Sequence, residues 1–201
     1  MIRVLLAEDQ RMFRAAIRRL LELEGDIEVV AEAACGDEIV GLARESAPDV
    51  ALIDIELPGV DGLTAAAALH REVPACCCLI VTTFGRPGFL QRAMDAGAAG
   101  FVLKDDPPEA LAGAIRRCAG GERIIDPALA AAAMRIGHSP LSARERDVLV
   151  ATTSGASVAG IAVNLHLSEA TVRNYVSSAI AKLRARNRTD AVRIATENGW
   201  L

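Results

Sequence analysis

Five polar side chains in the first 104 residues stand where short apolar runs end. Glu8 and Asp9 follow Ile2–Ala7, and Asp54 follows Val50–Ile53. Thr82 closes the run from Cys77, and Lys104 comes just after Gly100–Leu103. A carboxylate at the end of a buried strand must be partnered or used, because an ionised group is expensive to bury alone. Three carboxylates brought to one place repel, and a hard cation with oxygen ligands relieves that repulsion. Mg²⁺ (or Mn²⁺) suits such a site, since Mg²⁺ keeps several waters and accepts one or two carboxylates. A carboxylate nucleophile, a Lewis-acid metal, a lysine counter-charge and a hydroxyl donor are together the parts needed to receive a phosphoryl group.

The elements that must position these groups follow from periodicity. The unbroken apolar run Val50–Ile53 suits a strand buried on both faces of a parallel sheet, and the largely apolar segments 2–7, 27–33, 77–82 and 100–103 read as its companion strands. Between them, helical spacing predicts helices around Met12–Leu21, Asp37–Arg44, Thr64–Arg71, Phe89–Ala96 and the segment that starts at Pro107-Pro108 and ends at Gly120-Gly121. Strand–helix alternation of this kind predicts an α/β fold, a doubly wound (βα)5 domain with a parallel sheet. Ligands bind such sheets at the carboxyl ends of the strands, the edge to which all five polar groups belong.

After residue 121 the pattern changes. Residues 122–139 read as a linker in which Asp126-Pro127 starts a short helix, Ala128–Ile136, and Gly137 and Pro140 close the segment. Residues 140–201 read as a small all-α domain. Ser142-Ala-Arg-Glu145 is a capping box. Val158, Ile161, Ala162 and Leu165 form one stripe, His166-Leu167 makes a turn, and Ser168 caps a helix with its own stripe at Val172, Val176, Ala179 and Leu183. Two helices joined by a tight turn make the helix-turn-helix pattern.

Composition bounds the remaining possibilities. The chain is 52% hydrophobic and 24% charged, enough apolar material for two cores. Residues 1–121 carry 12 Lys and Arg against 19 Asp and Glu, while residues 122–201 carry 10 against 7. An acidic front and a basic tail assign any polyanion to the tail. The amino-terminal run is charged too early for a signal peptide, and no apolar run reaches membrane-spanning length, so no membrane insertion and a cytoplasmic location are expected. The five cysteines lack zinc-type spacing and are expected as reduced, partly buried thiols.

On Glu8-Asp9, Asp54, Thr82, Phe101 and Lys104 in their strand contexts, residues 1–121 resemble the receiver domain of bacterial two-component response regulators. The resemblance implies that Asp54 is the phosphoacceptor, supplied by a sensor histidine kinase. It implies Asp9 as a direct Mg²⁺ ligand beside Asp54, Glu8 acting mostly through water, and the Glu56 backbone carbonyl completing the protein ligands. Thr82 would bind the phosphoryl oxygens, Lys104 would pair with them, and Phe101 matches the aromatic that moves with Thr82. Glu56 and Phe84 lie where phosphate lifetime would be tuned.

On Leu141-Ser-Ala-Arg-Glu145, Ile161-Ala162, Leu167–Arg173 and Lys182-Leu183, residues 140–201 resemble the output domain of the NarL/FixJ (LuxR-type) regulators, which bind double-stranded DNA. With Val172 and Val176 facing inward, Arg173, Asn174 and Ser177 are candidates for base edges. Ser168, Thr171, Tyr175 and Lys182 are candidates for phosphates. Gly160 departs from the family, standing where an acidic residue is common. Glu8-Asp-Gln10, Thr82–Gly88, Thr171–Tyr175 and Gly199-Trp200 further resemble the DesR branch. That branch implies a homodimer when phosphorylated, through the first and last receiver helices, with Ile17, Leu21, Leu111 and Ile115 as candidate contacts; the fourth-helix side is the alternative.

Two other readings stand beside a phosphorylation-activated transcription regulator. One is a constitutive DNA-binding dimer whose receiver is never phosphorylated. The other is an aspartyl-phosphate hydrolase using Asp54, which leaves the basic tail without a role.

Overall fold

Every expected strand forms. In the computed structural model, which describes residues 1–83, 85–136, 138–153 and 155–201, β1 (Ile2–Ala7), β2 (Ile27–Ala33), β3 (Val50–Asp54), β4 (Cys77–Thr82) and β5 (Gly100–Leu103) make one parallel sheet in the order β2-β1-β3-β4-β5. The expected roles of Phe84 in phosphate lifetime and of Gly137 in closing the connecting helix fall outside the described residues. The chain winds from β1 outward to β2, then returns to the other side of β1 for β3. That reversal puts a topological switch point between β1 and β3, where a crevice opens at the carboxyl edge. Register does the rest: Ala7 pairs with Ile53, Asp54 with Val81, and Thr82 with Leu103. The residues that end β1, β3, β4 and β5 therefore come level.

The helices in this half are α1 (Arg11–Glu22), α2 (Ile39–Ser46), α3 (Gly62–Glu72), α4 (Pro87–Asp95) and α5 (Pro108–Ala119). Alternate strand residues Val4, Leu6, Val50, Leu52, Leu79 and Val81 pack on one face with Ile17 and Leu21 of α1 and Ile115 of α5. The intervening Leu5, Ile53 and Ile80 are just as buried and point to the other face. Full burial of each such side chain contributes roughly 1.5–3 kcal/mol.

Four findings depart from expectation. Ile17, Leu21 and Ile115 are 5%, 2% and 0% exposed, so they belong to the core and are not available as dimer contacts. Leu111 is half-buried against that core. The predicted helix at Asp37–Arg44 begins as one 3-10 turn, Gly36–Glu38, before α2 proper. Ile124, placed by the sequence in the linker, extends the sheet: Phe101 N–H donates to its carbonyl at 2.9 Å and its own N–H reaches Ala99 at 2.9 Å. Lastly, Cys77 and Cys118 are joined as a disulfide, while Cys35, Cys76 and Cys78 are free. Spacing along the chain could not reveal that pair, because 41 residues separate its members and only the packing of α5 on β4 brings them together.

By packing, the chain divides into two units, Met1–Gly85 with Leu90–Ala131, and Arg86–Phe89 with Ala132–Leu201. The connecting helix α6 spans Pro127–Ile136, with Asp126 accepting from the Leu129 N–H at 2.8 Å. The second unit contains α7 (Ala143–Thr153), α8 (Val158–Asn164), α9 (Glu169–Leu183) and α10 (Arg188–Glu197). The capping box forms as read: Glu145 N–H donates to Ser142 Oγ at 3.3 Å, and Ser142 N–H to Glu145 Oε2 at 2.6 Å. Val148, Ile161, Ala162 and Val172 lock α7, α8 and α9 together. The turn between α8 and α9 has His166 at φ 54°, which lets the Leu167 N–H reach back to the Ala162 carbonyl at 2.8 Å.

Two glycines make a test of local packing. A Cβ on Gly62, the first residue of α3, would collide with the Asp54 carbonyl, whereas a Cβ on Gly160 in α8 would meet nothing closer than 3.5 Å. Gly62→Ala is expected to destabilise the first unit by about 1–3 kcal/mol. Gly160→Ala is expected to stabilise the second by up to about 1 kcal/mol. Calorimetry of the full chain reads both transitions, and equal effects at the two sites would overturn the assignment.

Candidate functional site

The aligned strand ends gather the acids. Carboxylate oxygens of Glu8, Asp9 and Asp54 all lie within 4.8 Å of one another, with Glu8 and Asp54 buried and Asp9 exposed. The Lys104 ammonium reaches across them, 2.7 Å from Glu8 Oε2 and 2.7 Å from Asp54 Oδ2, with its own side chain 6% exposed. Its backbone N–H donates to the Thr82 carbonyl at 2.8 Å, which ties the start of the loop after β5 to the end of β4. Thr82 and Phe101 are both buried, Phe101 paired in register with Ile80. Glu8 also accepts from the Gln10 N–H at 3.1 Å, and the Arg14 guanidinium donates to the Glu8 carbonyl.

Burial pushes the Glu8 carboxyl above the ordinary glutamate value, against the hydrogen bonds from Lys104 and Gln10 that favour its charge. For Lys104, burial works to lower the pKa, but the bonds to Asp54 and Glu8 prevail and raise it, so the ammonium persists. Three acids share one ammonium, an excess of negative groups that a divalent cation with oxygen ligands relieves. The donors are all oxygen, as Mg²⁺ requires. Glu56 lies just beyond, its side chain exposed between buried Ile55 and Leu57.

On α9 the candidate base readers Arg173, Asn174 and Ser177 are all exposed. Arg173 pairs with Glu169 one turn back at 2.5 Å. The four phosphate candidates are differently engaged. Ser168 Oγ caps α9 by accepting from the Thr171 N–H at 3.1 Å and shares a 2.8 Å hydrogen bond with the Thr171 hydroxyl. Tyr175 packs against the Val148–Val172 cluster. Lys182 is held at 2.7 Å by Glu145, which is only 5% exposed and needs a cation.

Two contributors escaped sequence reading. Phe13 lies under the Lys104 ammonium, 4.7 Å from ring centroid to Nζ, a cation–π contact that helps to hold the lysine over the acids. It reads along the chain as one more apolar position of α1, and nothing in the spacing connects it to residue 104. Glu145 was legible as a cap, but its links to Ser178 at 2.6 Å and to Lys182, which fasten the start of α7 to α9, were not.

An acid trio bridged by a lysine at the switch point of a five-stranded parallel sheet, followed by a helix-turn-helix unit, defines a receiver joined to a DNA-binding output domain. The model of the response regulator receiver domain matches residues 4–116, and that of bacterial regulatory proteins of the luxR family matches residues 139–195. The chain belongs to the LuxR-type response regulators, a family of transcription regulators and not of catalytic enzymes. Among its relatives are two proteins of Bacillus subtilis (strain 168). The uncharacterized transcriptional regulatory protein YvfU is 43% identical over 201 residues, covering 100% of each chain. The transcriptional regulatory protein DesR is 42% identical over 200 residues, covering 100% of this chain and 99% of its own. A solved structure of two RcsB dimers bound to two parallel DNAs is 25% identical, covers 98% of each chain and superposes with a TM-score of 0.65. Among the described residues no helix is long and apolar enough to cross a membrane.

Glu145 supplies a pH test. Burial alone would raise its pKa, but hydrogen bonds from Lys182, Ser178 and Ser142 prevail and hold it near about 2, against an ordinary 4.5. A folded pKa below the unfolded one gives stability that is present above about 4.5 and lost as pH falls towards about 2. Glu145→Gln is expected to flatten this part of the acid-unfolding profile. Asp190, held below the usual carboxylate range by Arg186 and Arg193, keeps its own contribution. Fluorescence of Trp200, the single tryptophan, which packs in the core with Leu149, reports the unfolding. An unchanged slope in the variant would mean that the Glu145 network does not stabilise the unit.

Proposed function

We propose that this chain is a phosphorylation-activated transcription regulator whose Asp54 accepts a phosphoryl group from a sensor histidine kinase. The observation that carries the reading is Lys104, 2.7 Å from both Asp54 and Glu8 at the sheet edge where Asp9 completes the acid trio. A carboxylate oxygen of Asp54 attacks phosphorus, and the histidine nitrogen of the kinase leaves. Lys104 then turns from the carboxylate to the new phosphoryl oxygens, which carry more charge. Thr82, at the end of the neighbouring strand, donates its hydroxyl to the same oxygens. Asp9 and Asp54, with Glu8 through water and the Glu56 carbonyl, would hold Mg²⁺ (or Mn²⁺), which when bound supplies charge neutralisation of the transferring group.

Phe101 is buried beside the strand that ends in Thr82, so a shift of Thr82 towards the phosphoryl group opens room for its ring. That coupling changes the receiver surface and favours a homodimer. With Ile17, Leu21 and Ile115 spent in the core, the dimer contacts on the face of α1 and α5 fall to exposed Met12, Leu20 and Leu23 together with half-buried Leu111. Two output units then meet paired half-sites on double-stranded DNA, as dimer symmetry requires. Arg173, Asn174 and Ser177 address base edges, while Ser168 and Thr171, with Tyr175 and Lys182 at the margins, address phosphates. The working boundaries are 1–121 for the receiver, 122–139 for the connection and 140–201 for the output domain, in a cytoplasmic protein.

Incubation with acetyl phosphate and Mg²⁺ is expected to add one phosphoryl group by intact mass, and Asp54→Ala to abolish it. An unmodified wild type with a folded receiver sinks the proposal in favour of a constitutive DNA-binding dimer, and an adduct that survives Asp54→Ala moves the acceptor elsewhere. Arg173→Ala is expected to weaken specific DNA binding by about 1–3 kcal/mol and to relax preference at one base position. An unchanged preference in a binding-site selection would remove Arg173 from readout.

A further inference from the structure

The amino edge of the receiver sheet, opposite the acidic site, holds most of the cysteine. Cys76 precedes β4, Cys77 and Cys78 begin it, and Cys118 lies in the last turn of α5; with His70 and Gly97 they border a cavity of about 330 Å³. Side chains alternate along the strand, so Cys77 faces the α1 and α5 side of the sheet, where both it and Cys118 belong to the same core cluster. Their Cα atoms are 6.2 Å apart, within the range a disulfide spans without backbone movement. Cys76 and Cys78 are buried and free, and burial pushes both thiols up, Cys76 to about 12. Both neighbours are thereby poor nucleophiles, and neither lies on the α5 side of the strand. Of the bonded pair, Cys77 is half-buried and Cys118 only 1% exposed.

We propose that Cys77 and Cys118 form a reversible thiol–disulfide site, oxidised by low-molecular-weight disulfides, that sets how firmly α5 is held on β4. The more accessible Cys77 thiolate attacks one sulfur of the small disulfide and releases one small thiolate, leaving a mixed disulfide. Cys118 then attacks the Cys77 sulfur, the protein disulfide forms, and the second small thiolate leaves. The two protons of the protein thiols end on the two small thiols, and the small disulfide has taken both electrons. In a reducing compartment such a bond is held only transiently, so its occupancy follows the thiol pool. The placement gives it consequence. β4 runs from Cys77 to Thr82, and α5 follows the segment that carries Phe101 and Lys104, so the bond joins the strand and the helix that flank the switch residues.

The test uses the full chain, reduced, freed of reductant, and equilibrated in glutathione and glutathione disulfide at graded ratios before acid quench, denaturing alkylation and mass analysis. Alkylatable cysteines are expected to fall from five to three as the disulfide fraction rises, with Cys77 linked to Cys118 and full reversal by excess thiol. Cys118→Ser is expected to stop at a glutathione adduct on Cys77. The oxidised wild type is expected to unfold roughly 10 °C above the reduced one, a difference that vanishes in Cys77→Ser. Five alkylatable cysteines at every ratio in the folded protein would overturn the proposal. So would a bond through Cys76 or Cys78, a bond that excess thiol cannot reverse, or equal unfolding temperatures for the two forms.

Discussion

The arrangement depends on one buried cation held between two buried anions. Lys104 stands 2.7 Å from Glu8 and from Asp54 at the end of the sheet, one counter-charge shared by two buried acids. Removing the lysine from such a group costs about 3–5 kcal/mol, because both acids then stay buried without compensation. Under the proposed phosphoryl transfer, this is the interaction that the incoming group would exploit, since an ammonium already beside Asp54 would need little movement to meet a stronger anion. The phenyl ring of Phe13 beneath it and the backbone bond to Thr82 narrow where that ammonium can go.

Strand order turns this local chemistry into a property of the fold. Because the chain reverses direction between β1 and β3, no crossover covers the ends of those two strands on that edge, and Glu8, Asp9 and Asp54 share one crevice. Register then brings Thr82 level with Leu103, one residue before Lys104. A slip of one residue in β4 or β5 would turn Thr82 or Phe101 to the wrong face of the sheet. The apolar alternation from Val4 to Val81 therefore serves the site as much as the core.

In the output unit a similar logic runs at smaller scale. Glu145 closes the capping box of α7 and also receives Ser178 and Lys182 from α9. One carboxylate thus fixes where a helix begins and how the helix bearing Arg173 lies on it. The exposed side of α9 stays polar: Arg173 rests on Glu169, an exposed ion pair worth little on its own.

Periodicity and residue type were enough for the strands and nearly all the helices, and for the candidacy of Glu8, Asp9, Asp54, Thr82 and Lys104, because each claim rests on neighbours in the chain or on the edge to which a strand end must belong. The 3-10 start before α2 was missed because its turn is set by the contact of Gly36 with the Val60 segment, not by local spacing. The resemblance to the DesR branch assigned Ile17, Leu21 and Ile115 to a partner, because spacing along a helix marks an apolar face without saying what covers it; the packing of α1 and α5 on the sheet puts all three in the core. The same packing joined Cys77 to Cys118, drew Ile124 onto the edge of β5 and set Phe13 under Lys104. These pairings cross tens of residues. The acids were legible because they end strands, whereas what holds them in place is written only in the distances that folding creates.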